Sequence, residues 1–261
     1  MRSIRCMRSV RFLLVISWLP TMACLPNATA APPTAAPAVP PGKEADINAK
    51  FLDPALDPED WATKFELESR EVYAAREAIA KALELGPGSR VADVGSGTGA
   101  FLHTFADAVG PTGRVYAVDI SPRFVEFLRQ RVQNEKLANV AVVLSAADST
   151  KLPPGSVSHV FVCDTYHHFE QYPEMLASIR AALVPGGRFV IVDFERIPGV
   201  STEWTLNHVR AGKETVQAEV EAAGFDFDSE IDVPAFKENY LLRFRKPTAA
   251  EAHSGEPSAK R

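Results

Sequence analysis

Hydrophobic and polar positions change their period repeatedly between residues 57 and 244. Short apolar runs bounded by turn residues are typical of buried strands, and apolar residues at helical spacing are typical of amphipathic helices. The short runs predict strands at 90–94, 114–118, 140–144, 159–163 and 188–192. The helical spacing predicts one long helix from Asp57 to Gly86 and further helices at 100–109, after Ser121-Pro122, at 172–183 and at 213–223.

Strands that alternate with helices predict a parallel sheet, because each helix returns the chain to the start of the next strand. Helices then cover both faces of the sheet. Two later apolar segments, 227–233 and 240–244, are close in sequence and predict a closing antiparallel pair. The chain is therefore predicted to be an α/β protein.

Acidic residues follow the predicted strands at the point where each strand ends. The five of them are Asp93, Asp119, Asp148, Asp164 and Asp193. Ligands of open parallel sheets bind outside the carboxyl ends of the strands. Five acids at one such edge predict a polar rim that serves a ligand, whereas loop composition alone accounts for only one or two of them.

A glycine-rich loop, Gly95-Ser96-Gly97-Thr98-Gly99, joins the first predicted strand to the next helix. Glycine lets the backbone turn tightly and approach a ligand closely, and a helix N-terminus offers free N–H groups. With Ala100 the loop also fits the dinucleotide pattern G-x-G-x-x-A, and Asp119 follows near the right distance to bind a ribose. Asp93 opposes a nicotinamide or flavin interpretation, because its charge repels a pyrophosphate and suits a ligand with an ammonium group.

The N-terminus has the pattern of a targeting segment. Four arginines precede an apolar run at 12–19, which is typical of a signal peptide. Cleavage is expected after Ala28-Thr29-Ala30 or, if a lipoprotein box is present, before Cys24, which lipidation would then tether to a membrane. Thr21 departs from that box, where Leu is usual. The protein is predicted to be exported, periplasmic or lipid-anchored, and to be cytoplasmic if the leader is a transit peptide or follows a wrong start codon.

These features predict four segments. Residues 1–30 are a signal peptide or lipoprotein leader, 31–43 are a linker rich in Pro and Ala, 44–246 are the folded domain and 247–261 are a disordered tail. The chain has a net charge of -5, and this acidic balance gives no reason to expect a nucleic-acid partner. Cys163 is the one cysteine of the domain, and no CxxC or Cys/His cluster predicts a metal site.

Five segments taken together resemble the class I S-adenosylmethionine (SAM) dependent methyltransferases, especially the small-molecule type that includes the ubiquinone/menaquinone C-methyltransferases. They are 91–99, 115–121, 146–148, 164–168 and 183–189, in family order over about 60–245. The resemblance implies a Rossmann-like seven-stranded, mostly parallel sheet with helices on both faces. It also implies SAM as cofactor and a small-molecule methyl acceptor.

The resemblance assigns ten residues to the cofactor. Around the methionine half of SAM these are Asp93, Gly95, Ser96, Gly97, Thr98 and Gly99. Around the ribose and adenine they are Asp119, Ile120, Ala147 and Asp148. In this assignment Asp119 accepts from both ribose hydroxyls, Ile120 packs on the adenine, and Asp148 accepts from the adenine amino group.

Methyl transfer to an oxygen, nitrogen or carbon acid also needs a group that removes a proton. His167 and His168 follow the fourth strand, where the family presents substrate-facing residues, and an imidazole titrates near pH ~6.5. They are the predicted catalytic residues, with structural roles for one or both as the alternative. Tyr166, Trp204 and His208 are the predicted substrate contacts, the last two on a lid or wall at 194–212.

The residues leave three functional interpretations open. The first is an active SAM-dependent methyltransferase, and the second is an NAD(P)-dependent oxidoreductase. The third is an exported methyltransferase-like binding or scaffold domain without turnover, which the leader favours because SAM is made and used in the cytosol. Trp61 and Phe65 are predicted as core residues, and Arg70 and Tyr73 as helix-surface residues that could alternatively fold over the cofactor.

Overall fold

A single sheet of seven strands organises the residues that the computed structural model describes, which are 47–254. The strands are β1 Arg90–Val94, β2 Arg114–Asp119, β3 Val140–Leu144, β4 Val157–Cys163, β5 Leu183–Phe194, β6 Asp226–Glu230 and β7 Asn239–Arg245. Their order across the sheet is β3-β2-β1-β4-β5-β7-β6. The predicted leader with Cys24, the linker and residues 255–261 lie outside the described residues.

Strand directions confirm the predicted fold class. The pairs among β1 to β5 are parallel, whereas β7 runs antiparallel to both β5 and β6. β5 is longer than predicted, because Leu183 already pairs with Val157 before the register shifts at His159. The segment Pro185-Gly186-Gly187, which precedes the strand predicted at 188–192, therefore lies inside β5.

Helices cover both faces of this sheet. They are α1 Ala49–Leu52, α2 Pro58–Phe65, α3 Glu71–Ala74, α4 Arg76–Ala82, α5 Leu102–Val109, α6 Pro122–Asn134, α7 Tyr172–Ala182, α8 Glu203–His208, α9 Lys213–Ala222 and α10 Ala249–Ser254. A 3₁₀ turn at Tyr166–His168 follows β4. None of the helices in the described part of the chain is long and apolar enough to span a bilayer.

Two buried clusters form the core, one on each face. Side chains of a strand alternate between faces, and accordingly Val91 joins the cluster with Phe105 of α5, while Ala92 joins the cluster with Leu176 of α7. Both clusters are dominated by aliphatic and aromatic side chains with little or no exposure. The sheet thus places the carboxyl ends of β1, β2 and β4 side by side at one edge.

The single long helix predicted from Asp57 is wrong. It breaks into α2, α3 and α4, with Glu66 and Arg70 outside helical conformation. The break coincides with tertiary contacts. Glu66 accepts a hydrogen bond from Thr98 and pairs with Arg131, and Arg70 pairs with Asp164. The apolar spacing continues through 57–83, but these contacts bend the chain over the sheet edge.

The start of the predicted disordered tail is helical as far as Ser254. Thr248 and Glu251 form a reciprocal capping box, in which the Thr248 N–H donates to Glu251 at 2.7 Å and the Glu251 N–H to Thr248 at 3.4 Å. Arg245 of β7 pairs with the same glutamate at 2.7 Å. The sequence 248–251 carries this capping signal, which the polar composition of the tail obscures.

Candidate functional site

A pocket opens at the edge where β1, β2 and β4 end. Its volume is about 810 Å³, which includes the solvent-filled space at its open mouth. The sheet edge and its loops contribute Asp93, Gly95, Ser96, Gly97, Thr98, Ala100, Phe101, Asp119, Ile120, Phe124, Cys163, Asp164, Thr165 and His168. The segment before β1 contributes Asn48, Phe51, Phe65, Arg70, Val72 and Tyr73. Seven of the ten predicted cofactor residues line this pocket.

The glycine loop begins in a conformation that only glycine adopts easily. Gly95 has a φ of +81°, and a Cβ there would lie 2.3 Å from Thr165 Cγ2. A side chain at this position would therefore be strained and would also collide with the loop after β4. Gly99, which does not line the pocket, closes the turn by donating its N–H to the Ser96 carbonyl at 2.8 Å.

Two buried carboxyl groups lie under this loop. Asp93 is 3% exposed and accepts a hydrogen bond of 2.8 Å from the Ser96 hydroxyl. Asp119 is 6% exposed and accepts from the backbone N–H groups of Gly97 and Ser121, both at 2.8 Å. Neither carboxyl has a cationic side chain as a partner among the described residues. A cationic or hydroxyl-bearing ligand would complete their interactions.

Burial raises the pKa of both groups. The pKa of Asp93 is raised to about 7, mainly by desolvation and further by the nearby charge of Asp119, against the opposing hydrogen bond from Ser96. Desolvation likewise raises the pKa of Asp119 to about 6, although backbone N–H donors oppose it. Perturbed carboxyls that share a pocket are typical of functional sites.

The segment before β1 forms a cover over the pocket, contrary to the predicted core role of Phe65. The Phe65 ring lies 3.4 Å from the position that a Cβ on Gly97 would occupy. Trp61 packs against it with ring centroids 5.1 Å apart and is itself only half-buried. Phe51 of α1 packs against Trp61 with tilted rings at the same centroid distance. These rings supply an apolar wall opposite the glycine loop.

Polar contacts hold this cover to the sheet edge. Glu66 accepts from the Thr98 hydroxyl at 2.8 Å and pairs with Arg131 of α6 at 2.6 Å. Arg70 forms an ion pair with Asp164 after β4 and donates to the Phe65 carbonyl at 3.2 Å. The alternative predicted for Arg70, folding over the site, is therefore the one that the structure supports.

A smaller pocket adjoins the first and shares Asn48, Gly95, Ile120, Thr165 and His168 with it. Its other lining residues are Val94, Ser145, Ala146, Ala147, Phe169, Glu170 and Met175. Ile120 and Ala147, both assigned to the adenine by resemblance, therefore meet at this pocket. Asp148 is exposed and lines neither pocket, so its contact with the adenine stays a prediction.

Three imidazoles converge beside the pocket. The ring centroids of His167 and His168 are 4.3 Å apart, and that of His208 lies 5.1 and 5.2 Å from them. His168 lines both pockets, whereas His167 lies behind it, where its Nδ1 meets Asp193 Oδ1 at 2.7 Å. Burial, reinforced by His167, His208 and Lys50, lowers the pKa of His168 to about 2. His168 is therefore a neutral and weakly basic imidazole.

The predicted substrate role of Tyr166 is wrong. Its side chain has no exposed surface, packs in the core and donates its hydroxyl to Glu219 at 2.8 Å. The 3₁₀ turn sends Tyr166 inward and His168 toward the pocket, because successive side chains of such a turn point in different directions. Arg210 covers the Tyr166 ring at 5.3 Å.

The segment after β5 carries the other two predicted substrate contacts. Trp204 is 54% exposed, lines neither pocket and stacks on His208 with centroids 4.7 Å apart. Helix α8 thus brings His208 to His167 and His168, and Trp204 shields the outer side of the His208 ring. Sequence reasoning missed the convergence of the three histidines, because α8 lies some 40 residues beyond the 3₁₀ turn. It also missed the role of Asp193 behind them.

Comparisons with known proteins agree with this geometry. The methyltransferase domain family matches residues 91–187. The ubiquinone/menaquinone biosynthesis C-methyltransferase UbiE of Ectopseudomonas mendocina is 32% identical over 114 residues, which are 43% of this chain and 44% of that protein. An uncharacterized 37.1 kDa protein of a Streptomyces fradiae transposon is 37% identical over 42% of this chain and 31% of its own length. The chain thus spans less than half the length of these curated relatives.

Among solved structures, a SAM-dependent methyltransferase from Aquifex aeolicus superposes with a TM-score of 0.65. It is 23% identical, and the match covers 73% of this chain and 98% of that one. At this identity the likeness concerns the fold. Residues 91–187 match the methyltransferase domain family, and the chain has a Rossmann-like fold similar to that of the solved methyltransferase.

Proposed function

We propose that this protein binds SAM in the larger pocket and transfers its methyl group to a small-molecule acceptor. The observation that carries the proposal is the pair of buried carboxyls, Asp93 and Asp119, beneath a glycine-rich loop. Desolvated carboxyls without a cationic partner reduce stability unless a ligand compensates them. SAM offers an ammonium group for one and ribose hydroxyls for the other.

One of these two carboxyls, that of Asp93, argues against a dinucleotide. Asp93 lies under the first turn of the loop, where a Rossmann dehydrogenase holds a pyrophosphate. An ionised Asp93 there repels such a group, and its Ser96 contact does not neutralise it. The charge of the pocket therefore favours a cationic nucleoside over NAD(P).

When bound, SAM supplies an electrophilic methyl group with a neutral leaving group. The protein then has to align the acceptor, exclude water and take up a proton where the acceptor has one. His168 is the imidazole that faces the pocket, and Asn48 fixes its turn by donating to the His168 carbonyl at 3.0 Å. The low pKa of His168 disfavours it as the final proton holder.

Titration calorimetry with SAM and with S-adenosylhomocysteine tests the proposal before any acceptor is known. We expect 1:1 binding of both and a rise in melting temperature, since ligand at 100 times Kd stabilises by ~2.7 kcal/mol. NADH serves as the control ligand and is expected not to bind. A folded preparation that ignores millimolar SAM contradicts the proposal, and binding of SAM without turnover over a panel of acceptors favours a scaffold role.

We also propose export, on the leader pattern of residues 1–30 alone. The protein isolated from its native host should then begin near Cys24 or Ala31. Intact mass measurement distinguishes a lipidated Cys24 from simple cleavage. Recovery of an unprocessed Met1 overturns this proposal and leaves the proposed activity untouched.

A further inference from the structure

The histidine cluster beside the pocket has the composition of a metal site. His167 and His168 come from the 3₁₀ turn after β4, and His208 ends α8. One ring nitrogen of each lies within 4.8 Å of those of the other two. Among the side chains that the structure describes, those of residues 47–251, no other group of three His, Cys, Asp or Glu could hold a metal ion. Imidazole nitrogen is a preferred ligand of Zn²⁺ and related divalent transition metals.

Asp193 orients the first of these rings as carboxylates do behind metal-bound histidines. Its Oδ1 lies 2.7 Å from His167 Nδ1, and its Oδ2 accepts the His167 backbone N–H at 3.1 Å. Asp193 is itself fixed by the N–H of Phe194, which donates to it at 2.8 Å. Nε2 is thereby the ring atom of His167 that faces away from this carboxylate and can bind a cation.

His168 supplies an independent observation. Its Nδ1 is buried and has no hydrogen-bond partner among the described residues. Buried polar atoms are nearly always satisfied, and a bound water or metal ion is one way to satisfy an orphaned imidazole nitrogen beside two other histidines. The Phe51 ring meets His168 edge-on with centroids 5.3 Å apart. Trp204 stacks on the outer side of His208 at 4.7 Å. These aromatic walls limit the access of water to the cluster.

We propose that His167, His168 and His208 bind one divalent transition-metal ion at the edge of the larger pocket. Tetrahedral Zn²⁺ has ligand bonds of ~2.0–2.1 Å, so nitrogens about 3.3 Å apart are needed. The rings must therefore close by at most about 1.5 Å from the present 4.8 Å. Three protein ligands leave a fourth position open, as in catalytic zinc sites.

The open position suggests a role for this ion. Because His168 also lines the larger pocket, the ion would bind an oxygen or nitrogen of the acceptor and orient it there. This role, unlike the metal site itself, rests on the proposed function. It restricts the acceptor to molecules with a hydroxyl, carbonyl, carboxylate or amine close to the methylated atom.

The test measures metal binding directly on the full chain without a polyhistidine tag. Protein freed of metal with a chelator is titrated with Co²⁺, followed by its visible d–d absorption, and Zn²⁺ is then added as competitor. We expect one Co²⁺ per chain, displaced by Zn²⁺. His168→Ala and His208→Ala should each lower the affinity at least 100-fold, and Asp193→Asn ~10–100-fold.

His103→Ala is the matched control, because His103 is exposed and pairs with Glu135 at 2.7 Å on another face. Its Co²⁺ affinity should equal that of the wild type. If an alanine variant does not fold by circular dichroism, His168→Gln and His208→Gln remove the imidazole and keep a polar side chain. A wild-type protein that binds no stoichiometric Co²⁺, or histidine variants that bind it as well as the wild type, overturns the inference.

Two arms separate this inference from the proposed function. Metal binding is measured without SAM, and SAM binding is measured with chelator present. Wild-type protein that binds SAM but no Co²⁺ refutes the metal site and leaves the proposed activity standing. Stoichiometric Co²⁺ binding without SAM binding refutes the proposed activity and leaves the metal site standing.

Discussion

The backbone N–H of Gly97 donates to Asp119 Oδ2 at 2.8 Å and thereby ties the glycine loop after β1 to the end of β2. The other carboxylate oxygen accepts from the Ser121 N–H, also at 2.8 Å. Each oxygen retains a second lone pair. Asp119 can therefore shape the loop and accept ligand hydroxyls at the same time.

We predict that Asp119→Ala lowers both stability and affinity for SAM. The variant leaves the N–H groups of Gly97 and Ser121 unsatisfied, at a cost of ~1–3 kcal/mol each while they stay buried. Urea unfolding without ligand measures the first effect, and the SAM-induced rise in melting temperature measures the second. Asp107→Ala is the control, since this aspartate of α5 is exposed and lines neither pocket. Equal losses of SAM affinity in both variants contradict this prediction.

The raised pKa values of Asp93 and Asp119 make both the stability of the apoprotein and its affinity for SAM depend on pH. At about 7 and about 6, both lie above the ~3.9 of an unfolded aspartate. Between about pH 4 and pH 7 the folded apoprotein therefore holds more protons on these groups than the unfolded chain does. Their contribution makes the free energy of unfolding fall as pH rises through that window.

Binding of an ammonium-bearing ligand favours ionised Asp93 and lowers its pKa. SAM affinity should therefore rise between pH 5.5 and 7.5, by up to about tenfold per pH unit for each proton released. Calorimetry in buffers of different ionisation enthalpy counts these protons. Asp93→Asn should bind weakly and lose most of the slope. A slope that persists unchanged in this variant assigns the pH dependence to another group.

The φ of Gly95 and its contact with Thr165 can be separated by substitution. Gly199 has a φ of +80°, nearly that of Gly95, but nothing lies within 4 Å of its Cβ position. Gly199→Ala should therefore lose only the ~1–2 kcal/mol of a left-handed alanine. Gly95→Ala adds the clash with Thr165 and should lose clearly more.

Urea midpoints of the two alanine variants measure this difference. Thr165→Gly in the Gly95→Ala background removes the colliding side chain and should restore part of the loss. The remaining deficit should then approach that of Gly199→Ala. If Gly95→Ala and Gly199→Ala are equally stable, the close approach of the two loops does not constrain the glycine loop.

Local signals in the sequence predicted the sheet and the buried half of the site. The change between strand-like and helical spacing of apolar residues predicts the ends of β1 to β4 to within two residues. This works because each strand is a short apolar run closed by turn residues. Asp93 and Asp119 follow from the same signal, since the end of a parallel strand fixes where the next side chain lies. These inferences need no knowledge of distant contacts.

The cover and the histidine cluster depend on contacts that a local pattern does not carry. Glu66 lies outside helical conformation and pairs with Arg131, 65 positions away, and His167 contacts Asp193 near the end of β5. Tyr166 and His168 lie in one turn, yet one is core and the other faces the pocket. Only the packing of the 3₁₀ turn decides which ring points inward.

The ion pair between Arg70 and Asp164 is expected to hold the cover closed. Arg70→Met keeps the apolar stem and leaves the buried Asp164 carboxylate with one side-chain donor among the described residues, the Asn239 amide, which donates at 2.7 Å. We expect a loss of ~1.5–3 kcal/mol in urea unfolding and a several-fold weaker SAM affinity. Arg76→Met, which breaks a more exposed pair with Glu68, should lose less than ~1 kcal/mol.

A double variant distinguishes a buried charge from lost packing. Adding Asp164→Asn to Arg70→Met removes the uncompensated carboxylate, so stability should partly recover while SAM affinity stays low. Recovery of stability without affinity assigns the ion pair to closure of the cover over the ligand. Recovery of neither means that Arg70 acts through its cation–π contact with Phe65, whose ring centroid lies 5.2 Å from the guanidinium carbon, and contradicts the proposed role of the ion pair.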